Sequence, residues 1–162
     1  MKTFRKRAMR IRKGAGFTLL ELLIVIAVMG IMATIAIPSY QTFMAQRRLN
    51  GAARVVMSDL MAARMKAVNL NQRVKVSFGS NHTYRIWNDA DGNGTVADNE
   101  GDNIGKDIHP DFYDVTLSKT ADPIFHPRGT ASLGTTVTLT NSRGSKCVKV
   151  ATAGRVMIDD CP

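Results

Sequence analysis

FTLLELLIVIAVMGIMATIAI, residues 17–37, is a run of 21 apolar and small side chains interrupted by a single charge, Glu21. As a helix rising about 1.5 Å per residue, such a run spans about 31 Å, the hydrocarbon thickness of a bilayer. Ahead of it, residues 1–16 (MKTFRKRAMRIRKGAG) carry seven cations and no acid, whereas a similar distance behind it holds only Arg47 and Arg48. That asymmetry predicts a cytoplasmic amino end and a single pass through the inner membrane, with the rest of the chain in the periplasm. The run is longer than the apolar region of an ordinary signal peptide, and Thr34-Ile35-Ala36, closely followed by Pro38, makes a poor cleavage site for one. A plain anchor accounts for length and orientation but gives Glu21 no purpose. A carboxylate at a helix centre in lipid costs on the order of 3 kcal/mol, less near the interface. Snorkelling of Glu21 to the headgroups is the bland account; a counter-ion on another molecule is the functional one.

The rest of the composition bounds the answer. The chain has 162 residues, 44% hydrophobic, with 22 Lys+Arg against 13 Asp+Glu. This suits one modest domain plus an anchor, and excludes a wholly disordered chain and a polytopic membrane protein. A net charge of +9 points at face value to nucleic acid or an anionic surface. Without its first 16 residues, however, the chain carries 15 cations against 13 acids. The basic character belongs mostly to a leader, so it is a weak reason to expect a nucleic-acid partner.

Gly16-Phe17-Thr18-Leu19-Leu20-Glu21, behind a short basic leader and ahead of an unbroken apolar helix, resembles the class III signal of type IV pilins and type II secretion pseudopilins. The resemblance implies that prepilin peptidase cuts between Gly16 and Phe17 and that Phe17 becomes the N-methylated first residue. It also places Glu21 at that family's glutamate and Pro38 at its helix-bending proline. The physical logic agrees. Cleavage exposes an amine on Phe17, and a carboxylate one turn along can pair with the amine of a neighbouring subunit, which lipid cannot do. The implied partners are other pilins or pseudopilins in a filament.

Beyond Pro38, Leu49, Ala53, Val56, Leu60, Ala63, Ala67 and Leu70 recur at alternating spacings of four and three, a core-facing helical seam. Both halves together predict one helix of about 50 residues. From residue 72 the period becomes two. Val74, Val76 and Phe78 alternate with polar residues, and Gly79-Ser80-Asn81 turns the chain into Tyr84–Trp87, a hairpin. Further strands are expected at 113–118, 136–140, 146–151 and 155–159, separated by turn-rich segments. The expected class is α+β: a long amino-terminal helix, partly transmembrane, packed on an antiparallel sheet. The expected division is leader 1–16, membrane or filament-core half-helix 17–38, amphipathic half-helix 39–71, and β-rich periplasmic domain 72–162.

The long helix, two early strands, an Asp/Gly-rich loop and a late Gly-Arg-Val strand narrow the resemblance to the GspH/FimT/FimU group of minor pilins and pseudopilins. Some members bind DNA during uptake through a Gly-Arg-x-Arg motif. Here Gly154-Arg155-Val156-Met157 lacks the second arginine, although Arg143, Lys146, Lys149 and Arg155 form a basic group in sequence. Phosphate contacts from that group would be salt-dependent and sequence-blind; a solvated, aggregation-resistant sheet edge is the alternative. Charge is also segregated: residues 39–87 hold eight cations and one acid, residues 88–124 nine acids and two cations. Complementary patches of this kind suit head-to-tail packing between subunits; solvated faces account for them equally well.

Asp89-Ala90-Asp91-Gly92-Asn93-Gly94-Thr95 and onward to Glu100 fits the calcium-loop string D-x-[DN]-x-[DN]-G-x₅-E. Asp89, Asp91, Asn93, Thr95 through its carbonyl, and Glu100 would supply the oxygens of a Ca²⁺ site. The flanks read as strands rather than helices, so a polar loop without metal is the competing account. Cys147 and Cys161 lie on the oxidising side and are expected to form a disulfide. His82, His109 and His126 have no ligand spacing, and no nucleophile–base or phosphate-loop pattern stands out. No enzyme and no cofactor beyond the possible Ca²⁺ are expected.

Overall fold

The computed structural model describes residues 16–89 and 104–161. Its first element, α1, runs Leu19–Leu70, 52 residues with Pro38 inside it. The chain divides into two compact units within this helix, one up to Ser39 and one from Tyr40 onward.

In the first unit, residues 16–39 are all exposed. The helix there is long and apolar enough to cross a membrane.

The second unit is built on the other half of α1. Ala45, Leu49, Ala52, Ala53, Val56, Leu60, Ala63 and Ala67 are buried. Five of these eight are alanine, which lets the helix backbone come close to what it covers. The expected seam holds except at its last member: Leu70 is 46% exposed. The reason is the way α1 stops. Asn71 takes φ 52°, its N–H donates to the Val68 carbonyl, and the Gln72 N–H donates to that of Ala67. This is the Schellman arrangement, with asparagine in the left-handed position usually given to glycine. The chain turns away there, and Leu70 is left outside the core.

The strands form two antiparallel sheets rather than the expected one. β1 (Arg73–Phe78), β2 (Thr83–Asp89), β3 (Ile104–Asp107) and β5 (Ile124–Phe125) make the first, in the order β3-β2-β1-β5. β4 (Thr116–Lys119), β6 (Thr135–Asn141), β7 (Gly144–Val150) and β8 (Val156–Asp160) make the second, in the order β4-β6-β7-β8. The split falls between β4, where Leu117 faces Leu139 of β6, and β5, where Phe125 faces Val74 of β1. β3 and β5 were not expected from pattern. β3 is exposed throughout and shows no alternation, and β5 is two residues long. The strand expected from residue 113 begins at Thr116, because 112–115 close a turn in which the Val115 N–H donates to the Phe112 carbonyl.

Inward residues of both sheets meet the α1 seam in one core. Val74, Val76, Tyr84 and Phe125 come from the first sheet, and Val137, Leu139, Val148 and Val150 from the second. The alternation from residue 72 is thus the alternation of a sheet with one buried face.

Candidate functional site

Phe17 and Thr18 precede α1, and Thr18 caps it. Its Oγ1 accepts from the Glu21 N–H at 3.2 Å, and its carbonyl accepts from the Leu22 N–H at 3.2 Å. Thr18-Leu19-Leu20-Glu21 has the spacing of a capping box, Thr followed by Glu three residues on. The role of Thr18 went unread in the sequence, although that spacing was its signal. The cap fixes where the helix starts, and so puts Glu21 in its first turn, where the positive end of the helix dipole favours a carboxylate. Glu21 is exposed, and among the described residues its carboxylate has no ion pair or hydrogen bond. Phe17 is 82% exposed. Residues 1–15 of the leader lie outside the described residues.

In the second unit, polar contacts tie α1 to the rest of the fold. Arg48 grips Asp114 with two bonds, Nε to Oδ1 at 2.7 Å and Nη2 to Oδ2 at 3.0 Å, and stacks 4.7 Å from the Tyr113 ring centroid. The guanidinium bonds hold the Asp114 carboxyl below its usual range, against partial desolvation. Asn141 Nδ2 donates to the Ala45 carbonyl at 2.9 Å. The Tyr84 hydroxyl donates to Asp59 Oδ2 at 2.5 Å, and burial together with that carboxylate pushes its ionisation far up.

The basic group is not gathered into one patch. Arg143 lies in the β6–β7 turn and Arg155 in the β7–β8 turn, at opposite ends of β7, a seven-residue strand of roughly 23 Å. Between them, Lys146 is paired with Asp160, and Lys149 with Asp159 at 2.7 Å. The Lys149 bond, helped by the Asp160 N–H, lowers the Asp159 pKa. The antiparallel register puts Asp160 directly across from Lys146, and Asp159 across from Cys147, diagonal to Lys149.

Cys147 and Cys161 are joined, S–S 2.04 Å and Cα–Cα 5.1 Å, which fastens the segment after β8 to β7. For the Ca²⁺ loop, Asp89 is the buried last residue of β2, directly across from Arg73 of β1. Asp91, Asn93, Thr95 and Glu100 lie outside the described residues. The loop joins β2 to β3, which pair antiparallel with Ile86 facing Ile104, so its frame is a hairpin rather than two helices. His82 and His109 meet edge to face with ring centroids 4.8 Å apart, a contact the sequence did not suggest. Among the described residues no three His, Cys, Asp or Glu side chains come together as a metal would require.

A long helix with a capped glutamate in its first turn, its second half laid on antiparallel sheets, defines the class of type IV pilin-like subunits. Within that class the chain belongs to the Type II transport protein GspH family, which matches residues 52–154, and a prokaryotic N-terminal methylation motif matches residues 11–37. The type IV minor pilin FimU of Pseudomonas aeruginosa PAO1 superposes with TM-score 0.55 over 72% of this chain and 92% of its own, at 17% identity, a likeness of fold. The Type IV major fimbrial protein FimA of Dichelobacter nodosus is 28% identical over 150 residues, 89% of this chain and 78% of its own length. The fimbrial protein EcpB of Eikenella corrodens is 43% identical over 56 residues, 31% of this chain and 35% of its own length. The chain thus spans about a third of EcpB, and 24% of the related EcpC.

Proposed function

We propose that this chain is a minor-pilin-type subunit of a type IV pilus or of the related type II secretion pseudopilus. On this reading prepilin peptidase cuts between Gly16 and Phe17, residues 17–38 hold the product in the inner membrane with its globular domain in the periplasm, and assembly draws it into a filament. The reading rests on Glu21: a carboxylate fixed by a capped helix start, in an exposed apolar segment, with no partner among the described residues of its own chain. Methylation of Phe17 keeps its amine cationic. That amine and Glu21 share the same helical end, so a subunit shifted along the filament axis can bring one against the other's counter-charge. In low dielectric an unpaired carboxylate is costly and a paired one is not, which gives the subunit a specific reason to leave lipid. Its chemistry is assembly rather than catalysis.

A DNA-uptake role has less support. Two of the four cations are matched by Asp159 and Asp160, and Met157 stands where the motif has its second arginine.

Two measurements test the proposal. Mass spectrometry of the mature chain should find Phe17, carrying one methyl group, at the amino end; any other start overturns the processing. Glu21→Leu should remain in the membrane fraction yet be lost from sheared filaments, and incorporation equal to the native chain overturns the charge-pair account.

A further inference from the structure

The side of α1 opposite its buried seam has a pattern of its own. Tyr40, Phe43, Arg47, Arg54, Met61, Met65 and Val68 follow one another at three, four or seven residues, spacings that keep side chains on one helical face. The five apolar members are 40–65% exposed, Met61 the least and Tyr40 the most. Arg47 and Arg54 are also exposed, two turns apart, and among the described residues neither is paired. The other arginines of this half-helix are committed within the chain. Arg48 holds Asp114, and Arg64 Nε donates to the Gly129 carbonyl at 2.8 Å. Between Arg47 and Arg54 lies a groove of about 590 Å³, walled by Phe43 and Phe112. Gly51 supplies its open floor, because a Cβ there would stand 2.8 Å from the Phe112 ring.

We propose that this face is a docking surface for the helix of a different pilin-like subunit, one that carries carboxylates about two turns apart to meet Arg47 and Arg54 and an apolar side chain between them to fill the groove. The inference rests on the filament reading above. Length argues for a helix: from Tyr40 to Val68 the face extends about 42 Å, far beyond the few ångströms of a headgroup layer. Charge argues against the α1 helix of a second copy. Between residues 39 and 70 this chain has one acid, Asp59, and that carboxylate already accepts from Tyr84 and lies 3.8 Å from Lys106. A copy's α1 would therefore offer Arg47 and Arg54 arginines and no free carboxylate, and like charges placed opposite each other select against self-pairing.

The test uses the full-length chain in the producing bacterium, with benzoyl-phenylalanine at position 58, an exposed serine between Arg54 and Met61 on this face. Irradiation should give one adduct whose partner peptide, read by mass spectrometry, is a helical segment of another pilin-like chain with Asp or Glu seven residues apart. Arg47→Glu with Arg54→Glu should reduce that adduct at least tenfold, whereas Arg47→Lys with Arg54→Lys should keep it within twofold, at equal cellular levels of the chain. An adduct with a copy of this chain, an adduct with lipid, no adduct, or an adduct indifferent to charge reversal overturns the proposal. Recovery of the chain from sheared filaments is scored separately. Absence from filaments alongside the expected adduct would count against the filament reading and leave the interface standing.

Discussion

Gly154 and Gly129 meet backbone to backbone: a Cβ on Gly154 would stand 1.8 Å from the Gly129 carbonyl oxygen. Both residues hold positive φ, 81° and 78°, a region that other residues enter only under strain. The same Gly129 oxygen accepts from Arg64 of α1, so the contact joins the β7–β8 turn, the segment after β5 and the helix. The glycine of the Gly154-Arg155 pair is therefore required by packing, whatever Arg155 does.

Gly154→Ala must move the Gly129 backbone and take up a strained φ. We expect a loss on the order of 3 kcal/mol or more, read as a lowered thermal midpoint of the full-length protein in detergent. Arg155→Ala, an exposed position, should leave the stability within about 0.5 kcal/mol of the native value.

Acid should weaken the Arg48–Asp114 tie. Arg48 lowers the Asp114 pKa in the folded chain below its ordinary value near 3.8. The resulting stability is fully present above that value and is lost as the pH falls below it, through the folded-state pKa, because the unfolded chain takes up the proton first. Asp114→Asn should cost on the order of 1 kcal/mol at pH 7. It should also flatten the fall in stability below about pH 4, as measured by denaturant unfolding at a series of pH values.

The opposite limb belongs to Tyr84. Its ionisation is pushed up by burial and by the Asp59 carboxylate, so above the ordinary tyrosine value of 10.0 the unfolded chain loses the proton and the folded chain keeps it. Stability should fall with rising pH there, and Tyr84→Phe should remove that component. At neutral pH the same change deprives Asp59 of a donor and should cost about 1 kcal/mol.

Reduction should loosen the carboxyl end. The Cys147–Cys161 bond spans 14 positions, and in the chain-entropy model a loop of that size stabilises by about 3 kcal/mol. Cys147→Ser with Cys161→Ser should lower the unfolding midpoint accordingly and speed amide exchange in β8 first, while the residues of the α1 seam stay protected. Uniform loss of protection across both sheets would contradict this.

Several parts of the fold were legible because their cause is local and periodic. The seam from Leu49 to Ala67 repeats with the helix, and Val74, Val76 and Phe78 alternate with the pleat, so burial wrote a period into the chain. β3 and β5 left no such mark, since an exposed edge strand and a two-residue strand bury too little to impose one. Leu70 misled for the converse reason: the periodicity continues through it, but the Asn71 cap ends the helix beneath it. Thr18 was readable from spacing alone, since Glu21 is the third residue of a helix as well as a charge, and Thr followed three residues later by Glu marks a helix start.

By itself the sequence determined the long helix, its apolar first half with one carboxylate, the switch to strands and the methylation-type start, all properties of residues near one another along the chain. Only the tertiary structure decided that the strands divide into two sheets and that Arg143 and Arg155 end up at opposite ends of β7. It also decided that Lys146 and Lys149 are matched by β8 aspartates, and that Arg47 and Arg54 are the arginines of α1 left facing outward. These depend on strand register and on which distant carboxylate or carbonyl each cation reaches. Register is set by the packing of faces against one core, a property of the whole folded unit and of no single stretch.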